Sequence, residues 1–253
     1  MAEALASSDD AQPAWFAGLA PGQSVEARVA AALEALRAKA TNHDRENMAR
    51  FGIETPKAFG VSMANLKVLA KRIGRDHDLA AALWTTGWYE ARMLASLVDD
   101  PARVTPEQMD AWRADFDNWG IVDTVCFCLF DRSPHAFAKV ASWSRLEDEQ
   151  QKRAAFALLA SLALHTKAGD DAPFLTALPL IEEGAKDGRN FVKKGVSWAL
   201  RAIGQKQSPA LRAAALDLAK HLATSSDPAQ RWVGKDAVRD LTKAKTTKPK
   251  DTA

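Results

Sequence analysis

The chain has 253 residues, 47% of them hydrophobic and 26% charged, with a formal net charge of +2. That length suffices for one sizeable helical domain or two small ones, and the composition excludes a disordered chain. The net charge is too small to mark a nucleic-acid binder, so any such function must rest on how charge is distributed.

Cys126 and Cys128 are the two cysteines. Two residues apart on a helix, they point to nearly opposite sides, which excludes a shared metal and leaves any disulfide badly strained. They read as small apolar residues in a reducing compartment. The N-terminal MAEALASSDDAQPAWFAG carries Glu3, Asp9 and Asp10 and lacks the basic start and apolar run of a secretory signal. No stretch approaches the ~18–20 apolar residues of a membrane span. A soluble, cytoplasmic, nucleoid-associated protein is expected, with no membrane partner.

In chain order, residues 1–24 read as a flexible leader rich in Ala, Ser, Asp, Pro and Gly. Apolar residues then recur at three- and four-residue spacing between breakers. Helices are expected over 25–40, 42–51, 62–74, 78–85, 88–98, 105–116, 118–131, 134–143, 147–165, 171–186, 190–203, 208–223 and 227–242. No strand run is present. Thr105 with Gln108 forms a capping-box pattern, Asn190 and Gly204 bracket one helix as candidate caps, and Ser208-Pro209 opens another. The remaining residues, 243–253, read as a basic tail: a solvated charge run, or an arm that seeks phosphate. The rhythm predicts an all-α fold, a single domain over 25–242. Its antiparallel helix pairs would stack into a curved solenoid with units of about 35–45 residues, as in HEAT-like repeats.

Three segments carry residues whose chemistry exceeds what packing requires. In 190–203, Val192, Val196, Ala199 and Ile203 fall in one stripe at roughly 100° per residue and form the core face. Lys194, Trp198 and Arg201 lie on another side. Trp198 is thus either packed against a neighbouring helix with cations snorkelling around it or an aromatic platform in a phosphate-binding patch. In 117–123, Asp117 or Asn118 can cap the next helix, Trp119 and Asp123 share a face, and Asp123 is a carboxylate in apolar surroundings that needs a partner or a purpose. In 150–156, Arg153 beside Ala157 and Ala160 is either a salt bridge to Glu147, Glu149 or Asp123 or a bidentate phosphate clamp.

Basic residues gather in the second half. Lys152, Arg189, Lys193, Lys194, Arg201, Lys206, Arg231 and Lys235 are candidate DNA contacts, with Arg212 and Arg239 nearby. On alternate helices of a solenoid such charges would merge into one basic concave face. There is no P-loop, dinucleotide glycine motif, HExxH, CxxC or serine elbow, and the five histidines lack metal-ligand spacing.

The segments FGVSMANLKVLAKRIG, LAAALWTTGWYEARMLASLV, NWGIVDTVCFCLF, QQKRAAFALLASLAL and NFVKKGVSWALRAIG resemble, in this order, the AlkD-type DNA alkylation repair family. The likeness covers roughly residues 45–241. It implies a HEAT-like solenoid holding duplex DNA in a basic cleft. It also implies a glycosylase that excises purines alkylated at N3 or N7, without metal or organic cofactor and without flipping the base. The resemblance makes Trp119 and Trp198 the indoles of the site, Asp123 its carboxylate and Arg153 its arginine, anchoring the backbone phosphate beside the lesion. Gly120 departs from the family pattern, in which that position is often acidic. The expected partner is duplex DNA containing alkylated purines, bound by a monomer. The alternatives are a non-catalytic helical-repeat protein that binds damaged or bent DNA, and a protein–protein scaffold.

Overall fold

The computed structural model describes residues 15–20, 22–166 and 169–243. Its elements are helical throughout the described residues, and each of the thirteen expected helices is present. Contacts divide the chain into two compact units, 1–103 and 104–253.

The first unit holds α1 (Trp15–Gly18), α2 (Val25–Ala38), α3 (Asn42–Arg50), α4 (Met63–Ile73), α5 (His77–Thr85) and α6 (Tyr89–Val98). Short polar side chains start these helices: Ser24, Thr41, Ser62 and Asp76 each accept an amide hydrogen bond from the first turn they precede. Leu36, Leu66, Leu79, Leu83 and Leu94 are fully buried where α2, α4, α5 and α6 meet. The loop before α4 is pinned by one fully buried carboxylate: Glu90 accepts the amides of Phe59, Gly60 and Val61 at 2.8, 2.7 and 3.1 Å. Part of the expected leader is helical: α1 packs on α2, with Gly18 against Ala31. A four-residue helix is too short to show a periodic stripe, which is why the pattern missed it. The rest of the expected leader, 1–14 and 21, and the tail 244–253 lie outside the described residues.

The second unit runs through α7 (Pro106–Ala114), α8 (Trp119–Cys128), a 3-10 turn (Phe130–Arg132), α9 (Ala136–Trp143), α10 (Glu149–His165), α11 (Ala172–Gly184), α12 (Asn190–Gly204), α13 (Pro209–Ala223) and α14 (Pro228–Leu241). Helices α8, α10, α12 and α14 form one row; α9, α11 and α13 form a second behind it. Within the first row the helices run parallel. Asp123 of α8 meets Arg153 of α10, and Asp131, just beyond α8, meets His165 at the end of α10. Between α12 and α14, Lys193 meets Trp232, Ser197 meets Asp236 and Gln205 meets Asp240. Between rows the direction reverses: Arg212 at the start of α13 donates to the Leu241 carbonyl at the end of α14 (2.9 Å), and Gly234 lies against Ala223. This is the stacked-pair arrangement that the helix rhythm predicts.

Helix α10 sits at the centre of the unit. Every residue from Arg153 to Ala163 is buried, so the helix has no solvent face over three turns. That placement forces any polar group on it to find a partner inside the protein. Two expected caps are corrected. Asn190 is the first helical residue of α12, not its cap; the Glu149 carboxylate of α10 takes the Phe191 amide at 2.8 Å instead. Gly204 ends α12 without a left-handed turn; a β-carbon there would overlap the Leu241 side chain, so its role is close packing. Thr105, Asn118 and Ser208 cap as expected, at 3.2, 3.1 and 3.2 Å.

Candidate active site

Asn118 sets the geometry by capping α8, which places Trp119 in the first turn and Asp123 one turn later on the same face. Asp123 lies where α8 meets α10. Its Oδ1 accepts Nε of Arg153 at 2.9 Å and its Oδ2 accepts Nη2 at 2.7 Å, a bidentate pair. The third edge of the guanidinium donates Nη1 to the Phe191 carbonyl of α12 at 2.8 Å. The Arg153 side chain is 8% exposed and that of Asp123 is 24% exposed. The arginine is therefore buried, and the Asp123 side chain keeps partial exposure.

Of the readings the sequence left open for Arg153, the geometry realises the salt bridge to Asp123. The edge a phosphate clamp would use is occupied by the carboxylate. Arg153 is a positioning residue: it holds Asp123 in one orientation and ties it to α12. The backbone of Phe191 is held by α10 at both of its polar groups, the amide by Glu149 and the carbonyl by Arg153, one turn apart. This grip sets the register of α12 against α10 and with it the height of Trp198.

Burial pushes the Asp123 carboxyl above the usual carboxylate range, and the Arg153 charge and hydrogen bonds pull it partly back. The same burial raises the neighbouring Cys126 thiol well above the usual thiol range, so that thiol, fully buried, stays protonated.

Trp119 and Trp198 are both half-buried. Trp198 shares its face of α12 with Gly195. A β-carbon at Gly195 would lie 3.5 Å from Cγ of Arg153, so this face looks onto the Asp123–Arg153 pair. A helical side chain leans toward the N-terminus of its helix, which carries the Trp198 indole back over the turn of Lys194 and Gly195. Arg153 thus joins Asp123 to the Phe191–Gly195 turn, with an indole on α8 and another on α12.

The expected basic contacts divide into groups. Lys194 and Lys235 are exposed, without an ion pair among the described residues. Lys193 lies over the Trp232 ring, 5.1 Å from its centre. Arg201 pairs with Asp236 at 3.5 Å. Lys152 pairs with Asp187 at 3.2 Å, and Arg189 holds Asp187 bidentately at 2.9 and 2.6 Å while donating to the Glu147 carbonyl. Arg231 donates to the carbonyls of Ser225 and Ser226, closing the turn before its own helix. Lys206 turns inward, donating to the carbonyls of Ala163 and Thr166 at the end of α10, with its ammonium 4.7 Å from the Phe174 ring centre. Desolvation lowers its pKa. It finishes α10, whose last carbonyls lack helical partners.

Sequence reasoning missed the capping of α12 by Glu149, the Phe191 carbonyl contact and Trp232. The first two act through a backbone contact between helices that no pattern within one helix reveals. Trp232 had a signal: in RWVGKDAVR it stands among cations as Trp198 does in VKKGVSWALR. Among the described residues, no cluster of three or more His, Cys, Asp or Glu could hold a metal ion, and no helix is long and apolar enough to cross a membrane.

Comparison with known proteins agrees with this architecture. The sequence profile of the family described as DNA alkylation repair enzyme matches residues 32–241. No curated protein sequence matches the chain. One solved structure superposes with a TM-score of 0.69 at 20% identity, covering 83% of this chain and 94% of its own. It is described as belonging to a new family of proteins related to the HEAT-like repeat DNA glycosylases, with affinity for branched DNA structures. A likeness at that identity speaks to fold, and the fold is that of HEAT-like helical repeats. By the span of the sequence match, the chain belongs to the DNA alkylation repair enzyme family.

Proposed function

We propose that this protein is a DNA glycosylase that hydrolyses the N-glycosidic bond of cationic N3- or N7-alkylated purines in duplex DNA. The observation that carries the reading is the Asp123 carboxylate: fixed by a buried bidentate arginine, on a side chain that keeps partial exposure, and one turn from Trp119.

An alkyl group at N3 or N7 gives the purine a positive charge, so the base departs as a neutral molecule when the C1′–N bond breaks. Positive charge then develops on the deoxyribose. A carboxylate held rigidly beside it stabilises that charge without reorganising, and orients the water that adds to C1′. The water's proton passes to solvent. Indoles at 119 and 198 attract the cationic base and sugar through their ring faces, worth ~0.5–2 kcal/mol each. Arg153 keeps the Asp123 oxygens aimed and lowers the pKa that burial raises, so that the carboxylate is ionised when it is needed. Lys194 and Lys235, exposed and unpaired, offer charge to the phosphates.

The test is single-turnover release of 7-methylguanine from a duplex by the wild-type chain and by Asp123→Asn. Removing the charge while keeping the shape should slow release at least a hundredfold, about 2.7 kcal/mol of transition-state stabilisation, while duplex affinity changes less than about threefold. Full activity in the variant removes Asp123 from the mechanism. Tight duplex binding with no release by the wild type makes the protein a non-catalytic binder of damaged or bent DNA.

A further inference from the structure

Among the tryptophans whose side chains are described, Trp232 alone is exposed, at 38%. It stands on α14, the last helix of the row that carries the candidate site. The parallel pairing of α12 with α14 sets its height. Lys193, two residues before Gly195, meets Trp232, so Trp232 lies level with the Phe191–Gly195 turn and, through Arg153, with Asp123. The acidic group nearby, Asp236, is already engaged by Ser197, Arg201 and Arg239. Around the indole this leaves Lys193 on the ring and Lys235 and Lys194 reaching solvent. An exposed indole with a cation on its face and spare cations beside it suits a polyanion whose sugars can lie against the ring.

We propose that Trp232 and Lys193 form a second nucleic-acid contact, gripping the sugar–phosphate backbone of the duplex beyond the nucleotide held at Trp198. Packed helices stand about 8–10 Å apart, and each strand of a duplex advances about 3.4 Å per base pair. One helix further along the row therefore corresponds to about three base pairs. The contact rests on the duplex-DNA reading of the row, but not on catalysis: it sets how far the footprint extends to one side of the lesion, and with that the length of duplex arm the protein needs.

The experiment measures binding, not base release, by fluorescence anisotropy. The full chain, Trp232→Ala and Trp232→Phe are titrated with duplexes centred on 7-methylguanine, with either arm trimmed base pair by base pair. Melting temperatures confirm that the variants fold. On long-armed duplexes Trp232→Ala should bind about fivefold more weakly and Trp232→Phe should recover most of that loss. Trimming one arm, and not the other, below about three base pairs should cost the wild type the same factor and cost Trp232→Ala nothing further. Wild-type affinity of Trp232→Ala at every arm length overturns the contact. A loss that ignores arm length overturns it too, assigning Trp232 to packing. Absence of duplex binding by the wild type defeats both proposals. Arm-dependent binding without base release leaves this contact standing and removes the glycosylase reading.

Discussion

Asp123 and Asp187 each accept two hydrogen bonds from one guanidinium, yet their surroundings drive them in opposite directions. Asp123, between α8 and α10, has one cation and lies near the fully buried Cys126; burial dominates and its pKa rises. Asp187, in the turn before α12, is covered by polar atoms: the Arg189 side chain and backbone amide and the Lys152 ammonium. The Arg189 side chain is itself 39% exposed. There the Arg189 hydrogen bonds dominate, and the carboxyl falls to about 2. The same ion-pair chemistry gives a carboxylate whose charge burial opposes in one region and a firmly ionised strut in the other. What separates them is the material around the pair, apolar helix or polar turn.

The largest test of this contrast is Arg153→Lys against Arg189→Lys. Lysine keeps the charge but loses the two-pronged geometry and the bond to Phe191. In Arg153→Lys the acid limb of base release should move up by about one pH unit, because the remaining burial is less well opposed. On the proposed mechanism the wild-type limb should lie above the ordinary carboxylate value of 3.8, with activity falling as pH falls through it. Arg189→Lys should leave the limb in place. A limb that stays put in Arg153→Lys would mean that Asp123 does not titrate in the rate.

Asp187→Asn sharpens the other side. The carboxyl is depressed in the folded state, so its stabilisation is fully present above the unfolded value of 3.8 and disappears as pH falls through about 2. At neutral pH the variant should lose about 1–2 kcal/mol after solvent screening. The gap from wild type, followed by denaturant unfolding, should close between pH 4 and 2, with base release at neutral pH unchanged. A gap independent of pH would assign the loss to packing.

The smallest effect is expected at Gly195→Ala. The added β-carbon would meet Arg153 and Phe156 at 3.5 Å, an ordinary contact, and the helix gains alanine's propensity of about 1 kcal/mol. Stability should rise by up to about 1 kcal/mol and activity should change little. A large loss of activity alone would show that the Asp123–Arg153 pair tolerates no displacement.

Much of this was legible beforehand for physical reasons. Helices as periodic as 190–203 declare themselves because the face they bury repeats every turn, and Thr105, Asn118 and Ser208 mark starts because only short polar side chains reach the orphan amides. Trp119, Asp123, Arg153 and Trp198 stood out as residues that packing alone does not call for. The fates of Lys206 and Arg189 were not legible, since a cation's partner depends on which carbonyl or carboxylate the tertiary structure brings within reach.

The sequence by itself determined the helices, their order and the residue types available for chemistry, because those follow from local periodicity and side-chain reach. Only the tertiary structure decided that Arg153 grips Asp123, that Glu149 caps a helix not its own, and that Trp232 stands level with them. Those pairings join residues about 30 to 40 positions apart, and nothing but the parallel stacking of α8, α10, α12 and α14 sets which of them meet.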